Sequence, residues 1–141
     1  MGRLENKVAI ITGSNSGVGA AAAKLFAKEG AKVVISARRL PQLEEVAAEI
    51  RAAGGEVLVV QTDVSKVEDC ENLVAKTVET FGKVDILVNN AGISERTPIT
   101  DYTEELYDKV MDLNLKGVFN PIRAVVDSMV ERGSGVILNT S

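Results

Sequence analysis

Histidine is absent from the 141-residue chain, and so is tryptophan. Without histidine the chain itself cannot supply a serine–histidine triad, a histidine general base or the usual ligands of a zinc centre. The single cysteine, Cys70, excludes an intramolecular disulfide. Its acidic neighbours Asp69 and Glu71 disfavour the thiolate, so we expect an unreactive thiol. Proton transfer near neutral pH would need a lysine, a tyrosine or a carboxylate with a shifted pKa.

Basic residues are fewer than acidic ones: the chain has 16 Lys and Arg against 20 Asp and Glu, and its formal net charge is −4. This balance argues against a nucleic-acid partner. No apolar run reaches the ~18–20 residues of a membrane span, and residues 1–7 are too polar for a signal peptide. We therefore expect a cytoplasmic protein with no membrane contact. Hydrophobic residues make up 45% and charged residues 26%, as in one folded domain over residues 1–141.

Short β-branched apolar runs alternate with longer stretches of helical period. Such runs are typical of strands buried on both faces of a parallel sheet. The predicted strands are residues 8–11, 33–35, 57–60, 84–88 and 136–138. The alternation predicts an α/β fold with a doubly wound parallel sheet.

The predicted helices are residues 17–29, 41–53, 65–81 and a region from Thr103 to about residue 131. This last region is either one extended helix or restarts near Gly117, and a loop over 89–100 precedes it. The third helix opens with the capping-box sequence Ser65-Lys66-Val67-Glu68. Because the chain stops at an apolar strand, we expect it to be truncated, with further strands and helices missing and strand five left as an exposed edge.

A glycine-rich loop follows the first strand and runs Thr12-Gly13-Ser14-Asn15-Ser16-Gly17-Val18-Gly19. Glycine lets a ligand approach the main chain, and the amino end of the next helix favours an anion. Gly17-x-Gly19 with a small residue at Ala22 fits the dinucleotide fingerprint of a Rossmann fold, and its natural ligand is a diphosphate. The alternative is a purely structural turn.

The second strand ends in Ala37-Arg38-Arg39, with no carboxylate to bind a ribose 2′-hydroxyl. Guanidinium groups bind phosphate through paired donors, which favours NADP over NAD. The alternative is that one or both arginines are only solvated at the start of a helix.

Four motifs, in order along the chain, resemble those of the classical short-chain dehydrogenases/reductases. They are Thr12-Gly13-x-x-x-Gly17-x-Gly19, Thr62-Asp63-Val64, Asn89-Asn90-Ala91-Gly92 and Asn114 within Leu113-Asn114-Leu115-Lys116-Gly117. The resemblance covers essentially the whole chain. It implies hydride transfer between a nicotinamide cofactor and a ketone or secondary alcohol.

The resemblance also implies roles for single residues. The loop residues Gly13, Ser14, Asn15, Ser16, Gly17, Val18 and Gly19 would hold the diphosphate and the adenosine ribose. Arg38 would bind the 2′-phosphate, and Asp63 and Val64 would contact the adenine. Asn90, Ala91 and Gly92 would border the ribose and steady the central strands.

The catalytic set of this family is asparagine, serine, tyrosine and lysine, and the chain departs from it. Asn114 matches the asparagine, which holds a water in the proton relay and also caps backbone groups. Tyr102 and Tyr107 are the only tyrosines, and neither has a lysine four residues later. Ser141 more closely matches the serine before the catalytic one.

We therefore expect an NADP-preferring oxidoreductase whose 141 residues alone are inactive. A non-catalytic dinucleotide-binding module and a methyltransferase-like nucleotide binder are the alternatives. The substrate cannot be read from the sequence, although Ser94, Glu95 and Arg96 offer polar groups in the loop where this family binds it. The resemblance also suggests a dimer or tetramer built on the helix that starts near Gly117.

Overall fold

The computed structural model describes residues 2–93 and 96–140, and over these residues strands and helices alternate. The strands are β1 (Val8–Thr12), β2 (Lys32–Ala37), β3 (Val57–Gln61), β4 (Ile86–Asn89) and β5 (Val136–Asn139). The α-helices are α1 (Gly17–Lys28), α2 (Leu40–Ala52), α3 (Val67–Phe81), α4 (Glu104–Met111) and α5 (Gly117–Arg132). None of the helices described could form a membrane span.

The strands form one parallel sheet in the order β3-β2-β1-β4-β5. Ile10 of β1 pairs with Val34 of β2 and with Leu87 of β4. Side chains alternate between the faces, so these three belong to the core under α3 and α5, whereas Ile11 and Ile35 belong to the core under α1 and α2. The predicted doubly wound α/β fold is confirmed.

The capping-box prediction at Ser65 is wrong. Helix α3 begins at Val67 after an N-cap Lys66 whose side chain makes no capping bond. The Ser65 hydroxyl instead donates to Asp63 Oδ1 at 2.6 Å, and the Asp69 carboxylate accepts from the Asp63 N–H at 2.8 Å. The Ser65 side chain is therefore held in the turn before the helix, because a charge-assisted bond donated to the Asp63 carboxylate is stronger than one accepted from a backbone N–H of the first helical turn.

The helical region after β4 is interrupted and restarts at Gly117, which is one of the two alternatives that the sequence left open. Helix α4 begins where the helical region is predicted to start, and the Thr103 hydroxyl caps it by accepting from the Leu106 N–H at 3.1 Å. A π-helical turn, Asp112–Lys116, then joins α4 to α5. Such turns are rare and occur often at functional sites. This one carries Asn114.

Candidate functional site

A cleft of about 340 Å³ opens at the carboxyl ends of β1, β2, β3 and β4. The sheet order reverses between β1 and β4, and open parallel sheets bind ligands at this switch point. The residues that line the cleft come from the end of β2, from the four segments following these strands and from the π-helical turn: Gly13, Asn15, Ser16, Ser36, Ala37, Arg38, Arg39, Thr62, Val64, Asn90, Ala91, Gly92, Ile93 and Leu113.

The loop between β1 and α1 lies against the end of β4. Gly13 adopts φ +63°, and a Cβ there would lie 2.8 Å from the Ala91 Cα. A Cβ on Gly19 would collide with the Gly13 carbonyl oxygen and stand 2.6 Å from the Asn90 Nδ2. Only glycine fits both positions, so the loop is drawn close to Asn90 and Ala91 at the base of the cleft.

Ser14, which the resemblance places on the ligand, faces away from the cleft. Its side chain is buried, and its hydroxyl donates to the Ile11 carbonyl at 2.7 Å and accepts from the Ser36 N–H at 2.9 Å. The residue thus fastens the loop to β2. Gly17 and Val18 do not line the cleft either, and Val18 is 69% exposed.

The amino end of α1 is free to bind an anion. The Ser16 side chain makes no capping hydrogen bond, and the first turn of α1, which lies wholly in the described part of the chain, holds no acidic residue. Its amide groups therefore keep their donors for a ligand over Gly13 and Ser16, and the helix dipole favours negative charge there. This donor set fits a diphosphate.

Two exposed arginines, Arg38 and Arg39, stand where β2 ends and line the cleft. The Arg38 main chain is fixed, because the Gln61 side-chain amide donates to its carbonyl at 2.9 Å. The sequence points to both arginines at this position, and the resemblance assigns the 2′-phosphate to Arg38; Arg39 lines the same cleft beside it. Two guanidinium groups at one end of a cleft suit a phosphate group.

Asp63 does not line the cleft, although its neighbours Thr62 and Val64 do. Its carboxylate accepts from both the N–H and the hydroxyl of Ser65, at 3.0 and 2.6 Å. Burial acts to raise the pKa of Asp63, but these hydrogen bonds and the charges of Arg38 and Lys66 lower it below its ordinary value. The carboxylate is thus ionised, and its Oδ1 already accepts two hydrogen bonds from Ser65 in the same turn.

Thr12 organises the other wall of the cleft, and sequence reasoning gave it no role. Its buried hydroxyl accepts from the N–H groups of Asn90 and Ala91, at 3.0 and 3.1 Å. The Asn90 side chain in turn donates to the Gly13 carbonyl at 3.2 Å. These bonds join the ends of β1 and β4 and set the direction of the segment that ends at Gly92. The sequence signal for this role is a hydroxyl residue at the end of a buried apolar strand.

Asn114 is held by one residue on both of its polar atoms. Its Oδ1 accepts from the Ile93 N–H at 2.8 Å, and its Nδ2 donates to the Ile93 carbonyl at 2.7 Å. Gly92 leaves the room for this contact, since a Cβ there would lie 2.7 Å from the same Oδ1. The π-helical turn therefore clamps the segment that leaves the cleft after β4.

The remaining residues considered from the sequence lie away from the cleft or outside the part of the chain that the structure describes. Ser94, Glu95 and Ser141 fall outside the described residues, and Arg96 is exposed. Tyr102 and Tyr107 line a separate apolar groove along α4 and not the cleft. Among residues 2–93 and 96–140, no cluster of three or more Asp, Glu or Cys side chains could hold a metal ion.

Comparison with known proteins gives concordant matches. The family model described as short chain dehydrogenase matches residues 7–141. An uncharacterized oxidoreductase of Listeria innocua is 44% identical over 138 residues, which are 98% of this chain and 56% of that protein. A Streptomyces virginiae protein named A-factor type γ-butyrolactone 1′-reductase (1S-forming) is 43% identical over 145 residues, covering 99% of this chain and 55% of that protein.

A solved structure is also similar. The crystal structure of a short-chain type dehydrogenase/reductase from Mycobacterium marinum superimposes with a TM-score of 0.95 at 34% identity, and covers 98% of this chain and 56% of that one. The chain thus spans about half the length of the curated relatives that it matches.

Proposed function

The chain belongs to the short-chain dehydrogenase family, and on that premise we propose that it is the nucleotide-binding part of an NADP(H)-preferring oxidoreductase. The family binds a nicotinamide dinucleotide, and the cleft offers the donors that such a ligand needs. The observation that carries the proposal is the pairing of an uncapped α1 amino end with two arginines at the end of β2 in a single cleft.

In this proposal the diphosphate lies over Gly13, Asn15 and Ser16 and accepts from the free amide groups of α1. Gly19 serves by letting α1 approach Gly13 closely, as its missing side chain leaves no atom between them. Ser14 acts indirectly, through the shape of the loop, whereas Gly17 and Val18, the first residues of α1, contribute only their main-chain amide groups.

Arg38 is proposed to bind the 2′-phosphate, with Arg39 beside it. Ser36 and Ala37 precede them at the end of β2, so a ribose 2′-hydroxyl would find no carboxylate there. A charge-assisted bond to one phosphate contributes roughly 1.5–3 kcal/mol, which is about tenfold to a hundredfold in affinity. We therefore propose NADP as the preferred cofactor and NAD as the weaker one.

The adenine is proposed to lie against Val64, with Asp63 shaping that turn. The ribose and the nicotinamide end would then follow Asn90, Ala91 and Gly92 towards Asn114. When bound, the nicotinamide supplies or accepts the hydride. Asn114 would position the Ile93 segment beside it and hold a water for proton transfer. Neither Tyr102 nor Tyr107 lines the cleft, so the proton donor is not proposed to be either of them.

The proposed substrate class is a small molecule with a ketone or a secondary alcohol. A homo-oligomer, dimer or tetramer, is proposed on α5 and the π-helical turn before it, where Phe119 and Leu115 are each 61% exposed. The cytoplasmic location stays a prediction from the sequence.

The test begins with the intact mass of the protein as its own gene expresses it, followed by calorimetric titration with NADPH and NADH. We expect NADPH to bind about tenfold or more tightly than NADH, and NADPH to be oxidised in the presence of a panel of ketones. Binding without turnover at a mass of 15.0 kDa would support the non-catalytic module instead. No binding of either nucleotide would refute the proposal.

A further inference from the structure

Val64 forms a buried wall of the cleft, and its carbonyl group is held from behind by two helices. Val64 and Asn120 are only 4% and 5% exposed. The Asn120 Nδ2 of α5 donates to the Val64 carbonyl oxygen at 3.0 Å, and the Cys70 thiol of α3 donates to the same oxygen at 3.5 Å. Burial of an asparagine is costly unless its polar atoms are paired, so this contact has a structural purpose.

Gly117 brings the first turn of α5 against the same residue. Its backbone is ordinary for a helix, with φ −67°. A Cβ there would nevertheless lie 2.7 Å from the Val64 Cγ2, closer than real contacts allow. Glycine is thus needed at this position for close approach, and its removal would push on a stiff β-branched side chain that faces the cleft.

The turn that precedes Gly117 controls the opposite side of the cleft. There Asn114 holds both backbone groups of Ile93. Val64 and Ile93 both line the cleft, whereas Gly117 and Asn120 do not. One continuous helical segment therefore fixes the position of two separate walls.

We infer that Asn120 and Gly117 are positioning residues for the nucleotide, since they set where Val64 stands. This inference rests on the proposed nucleotide-binding function. Val64 follows β3, which lies beyond β2 and its arginines and away from β4. The part of the ligand that meets Val64 is therefore the adenosine end, and a shift of Val64 weakens binding of that end.

Two variants of the protein as its gene expresses it test the inference, with adenosine 2′,5′-bisphosphate as the probe. Asn120→Leu keeps the size of the side chain but removes the donor. We expect the Kd to rise about twofold to fivefold, a fraction of the worth of one buried hydrogen bond, because Asn120 acts on the ligand only through Val64. Gly117→Ala should also raise the Kd, by displacing Val64. Its melting temperature should fall only modestly, because the helix preference of alanine offsets part of the cost of displacing Val64.

Thr77→Val is the matched control. The Thr77 hydroxyl donates to the Leu73 carbonyl at 2.8 Å within α3 and is fully buried, so this variant also loses a buried bond without touching Val64. We expect a lower melting temperature and an unchanged Kd.

Three results would overturn the inference. The first is wild-type affinity in both Asn120→Leu and Gly117→Ala, and the second is a Thr77→Val protein that loses affinity in proportion to its stability. The third is a wild-type protein that binds neither the bisphosphate nor NADPH, and this result would refute the proposed function as well. If Asn120→Leu does not fold, the affinity of Gly117→Ala alone tests the inference, because that variant leaves no polar group unpaired.

Discussion

Asp85 stands just before β4, at the end of the sheet opposite the cleft, and its environment predicts a measurable acid sensitivity. The residue is 5% exposed. Its Oδ2 accepts from the Val8 N–H and from the Lys83 ammonium, both at 2.9 Å, and its Oδ1 accepts from the Arg132 guanidinium at 2.8 Å. One carboxylate thus ties β1, β4 and the end of α5 together.

Burial by itself would raise the pKa of Asp85, but the hydrogen bonds from Arg132, Lys83 and the Val8 N–H lower it from 3.8 to about 2. A pKa that is lower in the folded state contributes stability that is complete above the ordinary pKa and is lost as the pH falls towards 2. The difference corresponds to about 2 kcal/mol of unfolding free energy, and about half of it should be gone by pH 3.

Asp85→Asn removes the charge while keeping the shape. We expect the unfolding free energy at pH 7 to fall by about 2 kcal/mol. The loss stays below the ~3–5 kcal/mol of a fully buried broken ion pair, because water can reach the freed cations. The Lys83 and Arg132 side chains are 35% and 34% exposed. Urea unfolding followed by circular dichroism at pH 7, 5, 4 and 3 measures the difference between wild type and variant, which should narrow to about 1 kcal/mol at pH 3.

Asp127→Asn is the control. Asp127 pairs with Arg123 on the surface of α5 at 3.3 Å and is 87% exposed, so its loss should change the unfolding free energy by less than about 0.5 kcal/mol. A difference between wild type and Asp85→Asn that is the same at pH 7 and pH 3 would show that the carboxylate does not titrate as the contacts require. Equal losses in the two variants would show that the buried cluster adds nothing beyond a surface pair.

Three further predictions concern the cleft and its surroundings. Arg38→Asp should lower the affinity for NADPH by about tenfold to a hundredfold and improve that for NADH, and an unchanged ratio of the two Kd values in a calorimetric titration would refute the phosphate role. Gly19→Val should weaken both nucleotides, because its side chain would displace Gly13 and Asn90, and retained binding of either one would place the ligand elsewhere. Burial and acidic neighbours raise the pKa of the Cys70 thiol to about 12, so Ellman's reagent should label it at pH 8 only after denaturation; rapid labelling of the native protein would contradict that burial.

The order of the elements could be predicted from the sequence because each strand carries its own signal. Fully apolar runs such as the one from Val8 to Ile11 are buried on both faces, and the glycines that end the intervening helices mark the turns. The observed strand boundaries differ from the predicted ones by one or two residues. Strand β4 begins at Ile86 and not at residue 84, because the Asp85 carboxylate pairs with the cations of Lys83 and Arg132. The local pattern cannot show such a contact, since Arg132 is 47 residues away.

The π-helical turn that carries Asn114 could not be predicted for a related reason. Apolar periodicity distinguishes helix from strand, but it does not show where one extra residue enters a turn. The two bonds between Asn114 and Ile93 span 21 residues and fix the turn from outside. Tertiary contact, not local preference, therefore decides this part of the site.

The glycine-loop motif likewise predicts where the ligand binds, but not which of its side chains contact the ligand. Ser14 and Thr12 stand in one glycine loop motif, and both hydroxyls serve other parts of the backbone: Ser14 holds β2, and Thr12 holds the end of β4. A motif therefore tells where the ligand lies, but not which of its side chains face the ligand. The groups that this cleft offers to a phosphate are the main-chain amides of α1 and the arginines after β2, whereas the hydroxyls of Thr12 and Ser14 are already engaged in joining strands. Binding strength should accordingly follow backbone geometry at Gly13 and Gly19, and cofactor preference should follow the arginines.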